Sequence, residues 1–458
     1  MLKFLANKLP NTGMDFAVWD WSKPELYGIV LGMLAKLDLS GTLGIRKSEM
    51  LDFIIDVEKG YYATSYHSFY HAVDVVAVLY YMLTDLGVQK YLTSLDCVAL
   101  LIAGLCHDIG HPGLNNVYQV NAKTHLAKRY NDQSVLENYS CDLTDDLITK
   151  HNLFANVHLR PSEYTEASLR QLVRKTILAT DMAFHFGLLV EMNSMFEQAC
   201  SSEDSEEEFD NSCPASSNGS VSSSPISPSP LSSTSSIESF FTSLPYPNLI
   251  TLDVNQRELL CKVLLHAADL SNTVRPWDIS KRWSDLVVEE FFHQGDLEKN
   301  NNLPVSPNMD REQAHQCQIS LRFGDFVVKP YFEAFAAFVH PAKIFLDTLK
   351  NNRAYWDELK NNSTIKDDSV TKTITTEGLY GVNGDSDSDD GIDDHYRWPT
   401  RRKSAGLSSS KKHSSINDNY TNNDDERSSS LDHNMIKQIS ALYGNGSNAE
   451  QRVVLAGS

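Results

Sequence analysis

The sequence contains no apolar run of about 18 residues, the length expected of a membrane-spanning helix. Its first residues, MLKFLANKLP, are too few and too interrupted by Asn and Lys to form a secretory signal peptide. The seven cysteines are an odd number without regular spacing, and no two of them form a CxxC pair. We therefore expect reduced thiols, a cytoplasmic location and no membrane span.

Basic residues are also in short supply, since 40 Lys and Arg face 60 Asp and Glu and give a formal net charge of −20. This excess of acidic residues disfavours nucleic acid and anionic membrane surfaces as partners.

The sequence lacks the convincing alternation of apolar and polar residues that is typical of strands. Apolar residues recur instead at helical spacing, in PELYGIVLGMLAKLDL, VVAVLYYMLTDL, CVALLIAGLCHDIG and RELLCKVLLHAADL. The sequence therefore predicts an all-α fold.

Two regions lack the apolar residues that a core requires. Residues 201–240 contain 17 serines and four prolines, and the last hundred or so residues are rich in Ser, Asn and Asp. Such segments bury too little apolar surface to offset the loss of chain entropy on folding. We predict a short lead at 1–14, a helical domain at 15–360 with a disordered Ser-rich insert at about 198–245, and a disordered tail at 361–458.

Three short segments place histidines and aspartates on separate predicted helices. In SYHSFYHAVDV, His67 and His71 are four residues apart, a spacing that places both on one face of a helix. In LCHDIGHPGLNN, His107 and Asp108 are adjacent, and a second histidine follows. In LLHAADLSN, Asp269 stands at the end of an apolar helix. Three helices can thus bring imidazoles and carboxylates together.

These side chains are typical ligands of divalent metals. Imidazole suits zinc, whereas carboxylate with water suits magnesium or manganese. One carboxylate can offer an oxygen to each of two metals, and two metals about 4 Å apart can clamp a phosphate during in-line attack. Taken alone, His71 could be a buried core histidine and Asp269 a helix cap. An HDxxH segment in an apolar helix favours the metal site, because buried polar groups need partners.

The segments YHSFYHAVDV, GLCHDIGHPGLNN, YNDQSVLEN, ATDM, HAADLSN and EEFFHQGD resemble, in this order, the signature of the class I 3′,5′-cyclic nucleotide phosphodiesterases. The resemblance extends from about Met14 to Leu359. It implies an all-helical catalytic domain that uses two divalent metals, zinc and magnesium, with manganese as an alternative at the second position. It also implies hydrolysis of a cyclic nucleotide, with cyclic AMP as the expected substrate, to the 5′-monophosphate.

The same resemblance implies a role for each matched residue. Its zinc ligands are His71, His107, Asp108 and Asp269, and Asp108 also bridges to the second metal. His67 corresponds to the general acid that protonates the leaving 3′ oxygen. The remaining matches are expected to hold metal-associated water (His111, Glu137 and Thr180) or to lie beside the substrate (Tyr66, Asn115 and Asn272).

The sequence departs from the family pattern at several positions. The usual His-Asn is His67-Ser68, and the usual Leu-Glu-Asn-His-His is LENYS. Counted without gaps, the glutamine that contacts the purine falls on Ser320, and the phenylalanine that stacks on it falls on Phe323. A rival alignment makes Gln318 the contact, but it needs two-residue shifts that turn a helix face by about 200°. We therefore expect Ser320 and Phe323 to contact the base.

Other functions stay open at this point. The substrate could be cyclic GMP or both cyclic nucleotides, and the chain could be another HD-type nucleotide phosphohydrolase or an inactive cyclic-nucleotide-binding protein. EEFFHQGD and ATDM argue against the other phosphohydrolases, and the complete set of ligands with His67 argues against an inactive binder.

The tail carries one further motif. Arg401-Arg402-Lys403-Ser404 resembles a site for cyclic-AMP-dependent protein kinase, so Ser404 is a candidate phosphorylation site and that kinase a candidate partner. A phosphate there would add roughly −1.5 to −2 charge beside the basic cluster.

Overall fold

The computed structural model describes residues 13–159, 162–201 and 252–367. All regular secondary structure in these ranges is helical, which confirms the all-α prediction. Numbered in chain order, the α-helices are α1 Lys23–Lys36, α2 Leu39–Leu43, α3 Lys47–Lys59, α4 Phe69–Thr84, α5 Ser94–Cys106, α6 Asn116–Asn121, α7 His125–Arg129, α8 Val135–Lys150, α9 Glu166–Leu178, α10 His185–Ser201, α11 Val254–Asp269, α12 Trp277–Asn300, α13 Gln316–Phe323, α14 Lys329–Phe338 and α15 Lys343–Asp367.

Shorter turns connect these helices. There are 3₁₀ turns at Val18–Asp20, Val88–Tyr91, Val157–Leu159, Met182–Phe184, Leu270–Val274 and His340–Ala342. A π-helical turn at Gly324–Val328 joins α13 to α14. Turns of this type are frequent near functional sites.

Three apolar helices form the centre of the core. Helix α4 is buried along most of its length, and α5 is buried from Asp96 to Cys106. Helices that are apolar all round lie inside a protein. Helix α5 packs against α4 and α9, and α11 packs against α4, α5 and α9. The predicted motif residues at the ends of α5 and α11 and in α4 therefore meet in one region.

The start of α5 is fixed by a buried aspartate. Asp96 accepts a hydrogen bond from the backbone N–H of Thr93 and so completes a capping box. It also accepts bonds from the Tyr164 hydroxyl at 2.5 Å and from Nε of Arg257, on α11, at 2.9 Å. Because a buried carboxylate is costly unless it is paired, this cluster holds α5 and α11 in one arrangement.

A second buried ion pair links distant parts of the chain. Arg275 is fully buried and donates to Asp74 of α4 at 2.8 Å and to the carbonyl of Met14 at 2.8 Å. Asn352 of α15 donates in turn to the Arg275 carbonyl at 2.8 Å. The segment before α1, the core helix α4 and the last helix are thus attached to the turn that follows α11.

The ends of the described ranges differ slightly from the predicted domain limits. Helix α10 continues to Ser201, and Phe196 in its last turns stacks on Phe338 with ring centroids 4.1 Å apart. Helix α15 continues to Asp367. The rest of the predicted insert and tail, including Ser404, lies outside the described residues.

Two predicted absences concern the same ranges. None of the described helices has the length and apolarity needed to cross a membrane. The five cysteines with described side chains, Cys97, Cys106, Cys141, Cys261 and Cys317, are free thiols.

Replacing Asp74 with Asn should destabilise the domain strongly. The change leaves the buried guanidinium of Arg275 without its counter-charge, which typically costs about 3–5 kcal/mol. The matched control is Asp325→Asn, which breaks an exposed pair with Arg353 and should cost about 0–1 kcal/mol. Denaturant unfolding of both variants measures the difference, and equal stabilities would contradict a structural role for the buried pair.

Candidate metal and catalytic site

Two imidazoles and two carboxylates converge where α4, α5 and α11 meet. Nε2 of His71 lies 2.9 Å from Oδ1 of Asp269 and 3.6 Å from Oδ2 of Asp108. Nε2 of His107 lies 3.0 Å from Oδ2 of Asp108 and 3.5 Å from Oδ1 of Asp269. One ligand atom of each residue lies within 4.8 Å of all the others. We call these four residues the ligand cluster.

The local structure explains this convergence. His71 lies in the first turn of α4, whose apolar residues bury it. His107 follows the last residue of α5, and Asp269 is the last residue of α11. Because α5 and α11 end at the same place in the core, His107 and Asp269 lie close together.

The donor set fits a divalent metal. Nδ1 of His107 lies 2.9 Å from the carbonyl of Gly104, a contact that places the ring proton on Nδ1. In the neutral ring, Nε2 of His107 carries the lone pair; this buried atom makes no hydrogen bond of good geometry with the described residues and faces the carboxylate oxygens of Asp108 and Asp269. A second-shell carbonyl that fixes the tautomer is usual for histidines that bind metals. Two imidazole nitrogens and two carboxylate oxygens suit zinc.

Contacts within the ligand cluster favour an ionised Asp269 carboxylate and a protonated His107 imidazole. Burial opposes ionisation of Asp269, but hydrogen bonds with His107 and His71 hold the pKa of its carboxyl well below the usual range. Burial likewise opposes protonation of His107, but the charge of Asp108 raises the pKa of that imidazole well above its usual value. A bound cation would replace these protons, because a histidine ligand must be neutral.

His67 lies just before α4, so the prediction that His67 and His71 share a helix face is wrong. Helix α4 begins only at Phe69, after Ser68 in an extended conformation with φ −118° and ψ 174°. The rings of the two histidines are 6.1 Å apart and nearly perpendicular. The side chain of His67 is 24% exposed, whereas that of His71 is 2% exposed. Of these two histidines, only His67 is accessible to a ligand from solution.

Glu290 of α12 holds His67 in this position. Its carboxylate bonds to Nδ1 of His67 and accepts backbone N–H groups of Tyr66 at 2.9 Å and His67 at 3.2 Å. Burial opposes protonation of His67, but the charge and hydrogen bond of Glu290 raise its pKa to about 9. Sequence reasoning assigned Glu290 no role, although a carboxylate within the apolar run LVVEEFF was a usable signal.

His111 stacks on His67, with ring centroids 3.8 Å apart. Nδ1 of His111 accepts the N–H of Gly113 at 3.1 Å, so a neutral ring carries its proton on Nε2. Burial and the charge of His67 lower the pKa of His111 to about 3. Nε2 of the neutral His111 ring can therefore donate a hydrogen bond, as expected of a residue that holds water. Gly113 itself has φ +75°, and a Cβ there would lie 3.3 Å from the carboxyl carbon of Glu290.

Glu137 and Thr180, the other residues predicted to hold water, have their own partners. Nδ2 of Asn116 donates to both carboxylate oxygens of Glu137, at 2.9 and 3.1 Å. Burial and the nearby charge of Asp181 raise the pKa of Glu137 to about 8. Thr180 donates to the carbonyl of Ile177 at 2.8 Å. Asn116 and Asp181 lie within quoted motifs, but sequence reasoning gave neither a role.

Two of the predicted substrate contacts meet beside the ligand cluster. Nδ2 of Asn272 donates to the hydroxyl of Tyr66, whose ring lies 4.6 Å from that of His71. Asn115 has a different environment. It is the N-cap of α6, where its side-chain oxygen accepts a hydrogen bond from the backbone N–H of Tyr118. The same oxygen accepts a second hydrogen bond from Nε2 of Gln294 at 3.0 Å. The oxygen of Asn115 is therefore occupied by protein contacts, and substrate binding by this residue stays a prediction.

The residues predicted to contact the base lie on α13. Oγ of Ser320 lies 3.0 Å from Oγ of Ser284 on α12. Phe323 is half-buried one turn later and packs against the core, whereas Gln318 is exposed. Ser320 and Gln318 thus lie on different sides of α13.

The departures from the family motifs at Ser68, Tyr139 and Ser140 lie outside the ligand cluster. Ser68 occupies the N-cap position of α4 but makes no side-chain capping hydrogen bond. Ser140 is buried on α8 and donates to the carbonyl of Ile109 at 3.0 Å, next to the HDxxH segment. None of the three substitutions alters a ligand of the cluster.

Comparison with known proteins identifies a family. The family model described as 3′5′-cyclic nucleotide phosphodiesterase matches residues 66–349. The 3′,5′-cyclic-nucleotide phosphodiesterase regA of Dictyostelium discoideum is 31% identical over 362 residues, 78% of this chain and 39% of the relative. The high affinity cGMP-specific 3′,5′-cyclic phosphodiesterase 9A of Mus musculus is 31% identical over 348 residues, 75% of this chain and 55% of the relative.

Another curated relative carries a different nucleotide in its name. The 3′,5′-cyclic-AMP phosphodiesterase 4C of Rattus norvegicus is 30% identical over 362 residues, 77% of this chain and 59% of the relative. The chain thus spans roughly 40–60% of the length of these relatives. Among solved structures, the phosphodiesterase domain of the RhoPDE fusion protein from Salpingoeca rosetta superposes with a TM-score of 0.62 at 26% identity, covering 79% of this chain and 99% of that one.

Replacing Asp269 with Asn should remove bound metal from the purified protein. The substitution keeps the size of the side chain but removes the charge shared by His71 and His107. The loss of affinity should exceed the roughly 10–100-fold typical of removing an outer-shell partner. Elemental analysis after dialysis against zinc or magnesium measures the content. The control is Asp278→Asn, an exposed carboxylate on α12, and equal metal content in both variants would contradict the assignment.

Proposed function

This chain belongs to the 3′5′-cyclic nucleotide phosphodiesterase family, and we propose that it hydrolyses a 3′,5′-cyclic nucleotide to the 5′-nucleoside monophosphate. The observation that carries this proposal is the ligand cluster beside the partly exposed His67. A metal cluster alone would also suit a binding protein. A partly exposed histidine beside it, whose Nδ1 is paired with the carboxylate of Glu290, suits proton donation in a chemical step, which a binding protein does not need.

The ligand cluster would hold the first metal through His71, His107, Asp108 and Asp269. Asp108 would also contact the second metal, and His111, Glu137 and Thr180 would hold its water. Zinc and magnesium are the proposed ions, with manganese as an alternative for magnesium. Divalent ions bound here would activate water and neutralise negative charge on the phosphate.

His67 would serve as the general acid. Hydrolysis adds the oxygen of water to phosphorus and breaks the bond between phosphorus and the 3′ oxygen, which leaves as a poorly stabilised alkoxide unless it gains a proton. Glu290 occupies Nδ1 of His67, so Nε2 is the nitrogen that can deliver that proton. Because the pKa of His67 is raised to about 9, the imidazole is protonated at neutral pH.

We propose cyclic AMP as a substrate, with the ribose and phosphate near Tyr66 and Asn272 and the base between α12 and α13. In this arrangement Phe323 stacks on the purine, and Ser320 contacts its edge. Stacking on an aromatic ring is worth on the order of 1–3 kcal/mol per base. The named relatives include both cyclic-AMP and cyclic-GMP enzymes, so hydrolysis of cyclic GMP, or of both nucleotides, is the alternative.

Two parts of the proposal depend on the sequence rather than on the described residues. The reduced-thiol composition and the cyclic-nucleotide substrate suit action in the cytoplasm. Ser404, within RRKS, is proposed as a target of the cyclic-AMP-dependent kinase, and its modification would respond to the substrate of this enzyme.

The purified protein with magnesium should convert cyclic AMP to 5′-AMP, and His67→Ala should retain metal but lose about 10²–10⁴-fold in kcat. The loss should shrink on an analogue whose leaving group needs no proton. Product analysis by chromatography and elemental analysis give the two measurements. Binding of cyclic AMP without any turnover by the wild type would instead support the inactive-binder function.

Glu290→Gln should shift the alkaline limb of the pH profile to lower pH. In the wild type, activity should fall as pH rises through about 9, because His67 then loses the proton it donates. Removing the charge of Glu290 removes the main cause that raises this pKa, so the fall should begin at lower pH. The profile of kcat/KM against pH measures it.

The matched control is Glu289→Gln, an exposed neighbour on the same helix, which should leave the profile unchanged. If Glu290→Gln and wild type lost activity over the same alkaline range, the pairing of Glu290 with His67 would have no part in catalysis.

A further inference from the structure

The motif EEFFHQGD contains a glutamine that the proposed reaction does not use. Gln294 lies one turn after Glu290 on α12 and is 2% exposed. Its Oε1 accepts the backbone N–H of Asn115 at 2.9 Å, and its Nε2 donates to Oδ1 of Asn115 at 3.0 Å. One amide thus holds Asn115 through both its backbone and its side chain, and with it the HPGLNN loop, residues 111–116.

We propose that Gln294 is a positioning residue for the second metal ion, and that it acts through Asn115 and Asn116 on Glu137. The inference rests on the proposed function, in which Glu137 holds water of that ion. It deepens that function by giving the buried end of the EEFFHQGD motif a role, which is to determine how tightly the second ion binds.

Glu298 fixes the direction of the Gln294 amide. This carboxylate lies one turn further along α12 and is 1% exposed. It accepts Nε2 of Gln294 at 2.9 Å, the hydroxyl of Ser306 at 2.7 Å and the backbone N–H of Ser306 at 2.6 Å. Because carboxylate oxygens accept hydrogen bonds, the nitrogen of the Gln294 amide faces Glu298, and its oxygen is left for the N–H of Asn115.

The loop passes this constraint to Glu137. Oδ1 of Asn115 also accepts the backbone N–H of Tyr118, so Asn115 fixes the start of α6, and Asn116 is the first residue of that helix. Nδ2 of Asn116 donates to both carboxylate oxygens of Glu137, and its Oδ1 accepts the backbone N–H of Leu136 at 3.0 Å. A shift at the start of α6 would therefore move the amide that orients Glu137.

The surroundings of Glu137 suit an ion that is held through water. Burial and the charges of Asp181 and Asp108 raise the pKa of Glu137. A divalent cation with its water would relieve this repulsion between carboxylates. The partners that orient such groups affect the affinity for the metal, although they do not touch it. The orientation of Glu137 should therefore be reflected in the binding of the second ion.

Helix α12 holds the HPGLNN loop at two points on one face. A Cβ at Gly113 would lie 3.3 Å from the carboxyl carbon of Glu290, and Asn115 contacts Gln294 four residues later. On the other side of Gln294, a Cβ at Gly295 would overlap the backbone carbonyl of Met309, so the segment that contains Ser306 lies directly on the helix. Gln294 is thus enclosed between two loops that it connects.

The test measures binding of Mn²⁺ to zinc-loaded protein, with free Mn²⁺ followed by electron paramagnetic resonance. Asn116→Ala should weaken binding of the second ion by about 10–100-fold, the range typical of outer-shell partners. Gln294→Ala, one contact further away, should weaken it by a smaller factor, though more than about threefold. In the same variant the magnesium concentration for half-maximal turnover should rise, while KM for cyclic AMP at saturating magnesium stays unchanged.

A double-mutant cycle decides whether Gln294 acts through Asn116. The double variant Gln294→Ala, Asn116→Ala should bind the second ion within about twofold of Asn116→Ala alone, because the contact that transmits the effect is already lost. Losses that multiply would overturn the inference. The matched control is Gln313→Ala, an exposed glutamine that donates to Asp310, and it should bind Mn²⁺ as the wild type does.

Denaturant unfolding separates positioning from stability alone. A Gln294→Ala variant that is less stable but binds the second ion like the wild type would overturn the inference. Should Gln294→Ala fail to fold, the contact is tested from its other side. Asn115→Ser keeps a good N-cap residue but is too short to reach Gln294, whereas Asn115→Asp keeps the accepting oxygen. Asn115→Asp should bind the ion more tightly than Asn115→Ser, and equal affinities would contradict the inference.

These binding measurements do not require turnover. A wild type that hydrolyses no cyclic nucleotide would overturn the proposed function, and the cycle with Mn²⁺ would still decide the role of Gln294. A wild type that hydrolyses cyclic AMP but takes up no second ion would overturn the role of Gln294 and leave hydrolysis standing.

Discussion

The buried contact of Asp269 with His71 and His107 is the constraint on which the rest of the site depends. Carboxylates removed from water destabilise a fold unless opposite charge compensates them. Here the compensation comes from imidazoles on other helices, so α4, α5 and α11 must all end or begin at one point. These helices can approach so closely because their sides are apolar, and Gly104 in α5 adds to this closeness. A Cβ at Gly104 would lie 2.6 Å from the side chain of Leu79 on α4.

Helix α12 contacts both His67 and α13. Glu290 orients His67, Trp283 lies against Tyr66 and His71, and Ser284 faces α13. Trp19 packs against Trp283 with ring centroids 4.6 Å apart. The guanidinium of Arg282 lies over the Trp19 ring, 4.2 Å from its centroid. A change in the packing of the segment before α1 would therefore reach His67 and the residues proposed to contact the base through a single helix.

Sequence reasoning identified the residues whose signal is local. His107 and Asp108 are adjacent but follow directly after the apolar helix α5, not within it as expected, and Asp269 ends α11. Pattern, chemistry and the family resemblance together pointed to these residues. All four members of the ligand cluster meet as their motifs imply. The all-α architecture could also be predicted from the sequence, because apolar residues recur at helical spacing along each core helix.

Other features were not accessible because they depend on contacts between remote positions. Glu290 is 223 residues from His67 along the chain, and only the packing of α12 reveals the pair. The spacing of His67 and His71 suggested one helix, yet the backbone N–H groups of Tyr66 and His67 bond to Glu290 and the helix begins later. Ser284 carried no motif at all, and its position opposite Ser320 is visible only in three dimensions.

The two histidines of the first motif have different proposed functions because their carboxylate partners differ in position. His71 is buried, and its Nε2 faces Asp269 and Asp108, so the nitrogen is directed to a cation. His67 is partly exposed, and Glu290 contacts it on the other ring nitrogen, Nδ1, which leaves Nε2 for a ligand and raises the pKa of the ring. In the proposed mechanism, the ring nitrogen that the carboxylate contacts thus determines whether the imidazole binds a metal or donates a proton. The start of α4 between the two residues permits this difference, since His67 can turn toward α12 while His71 stays fixed in the core.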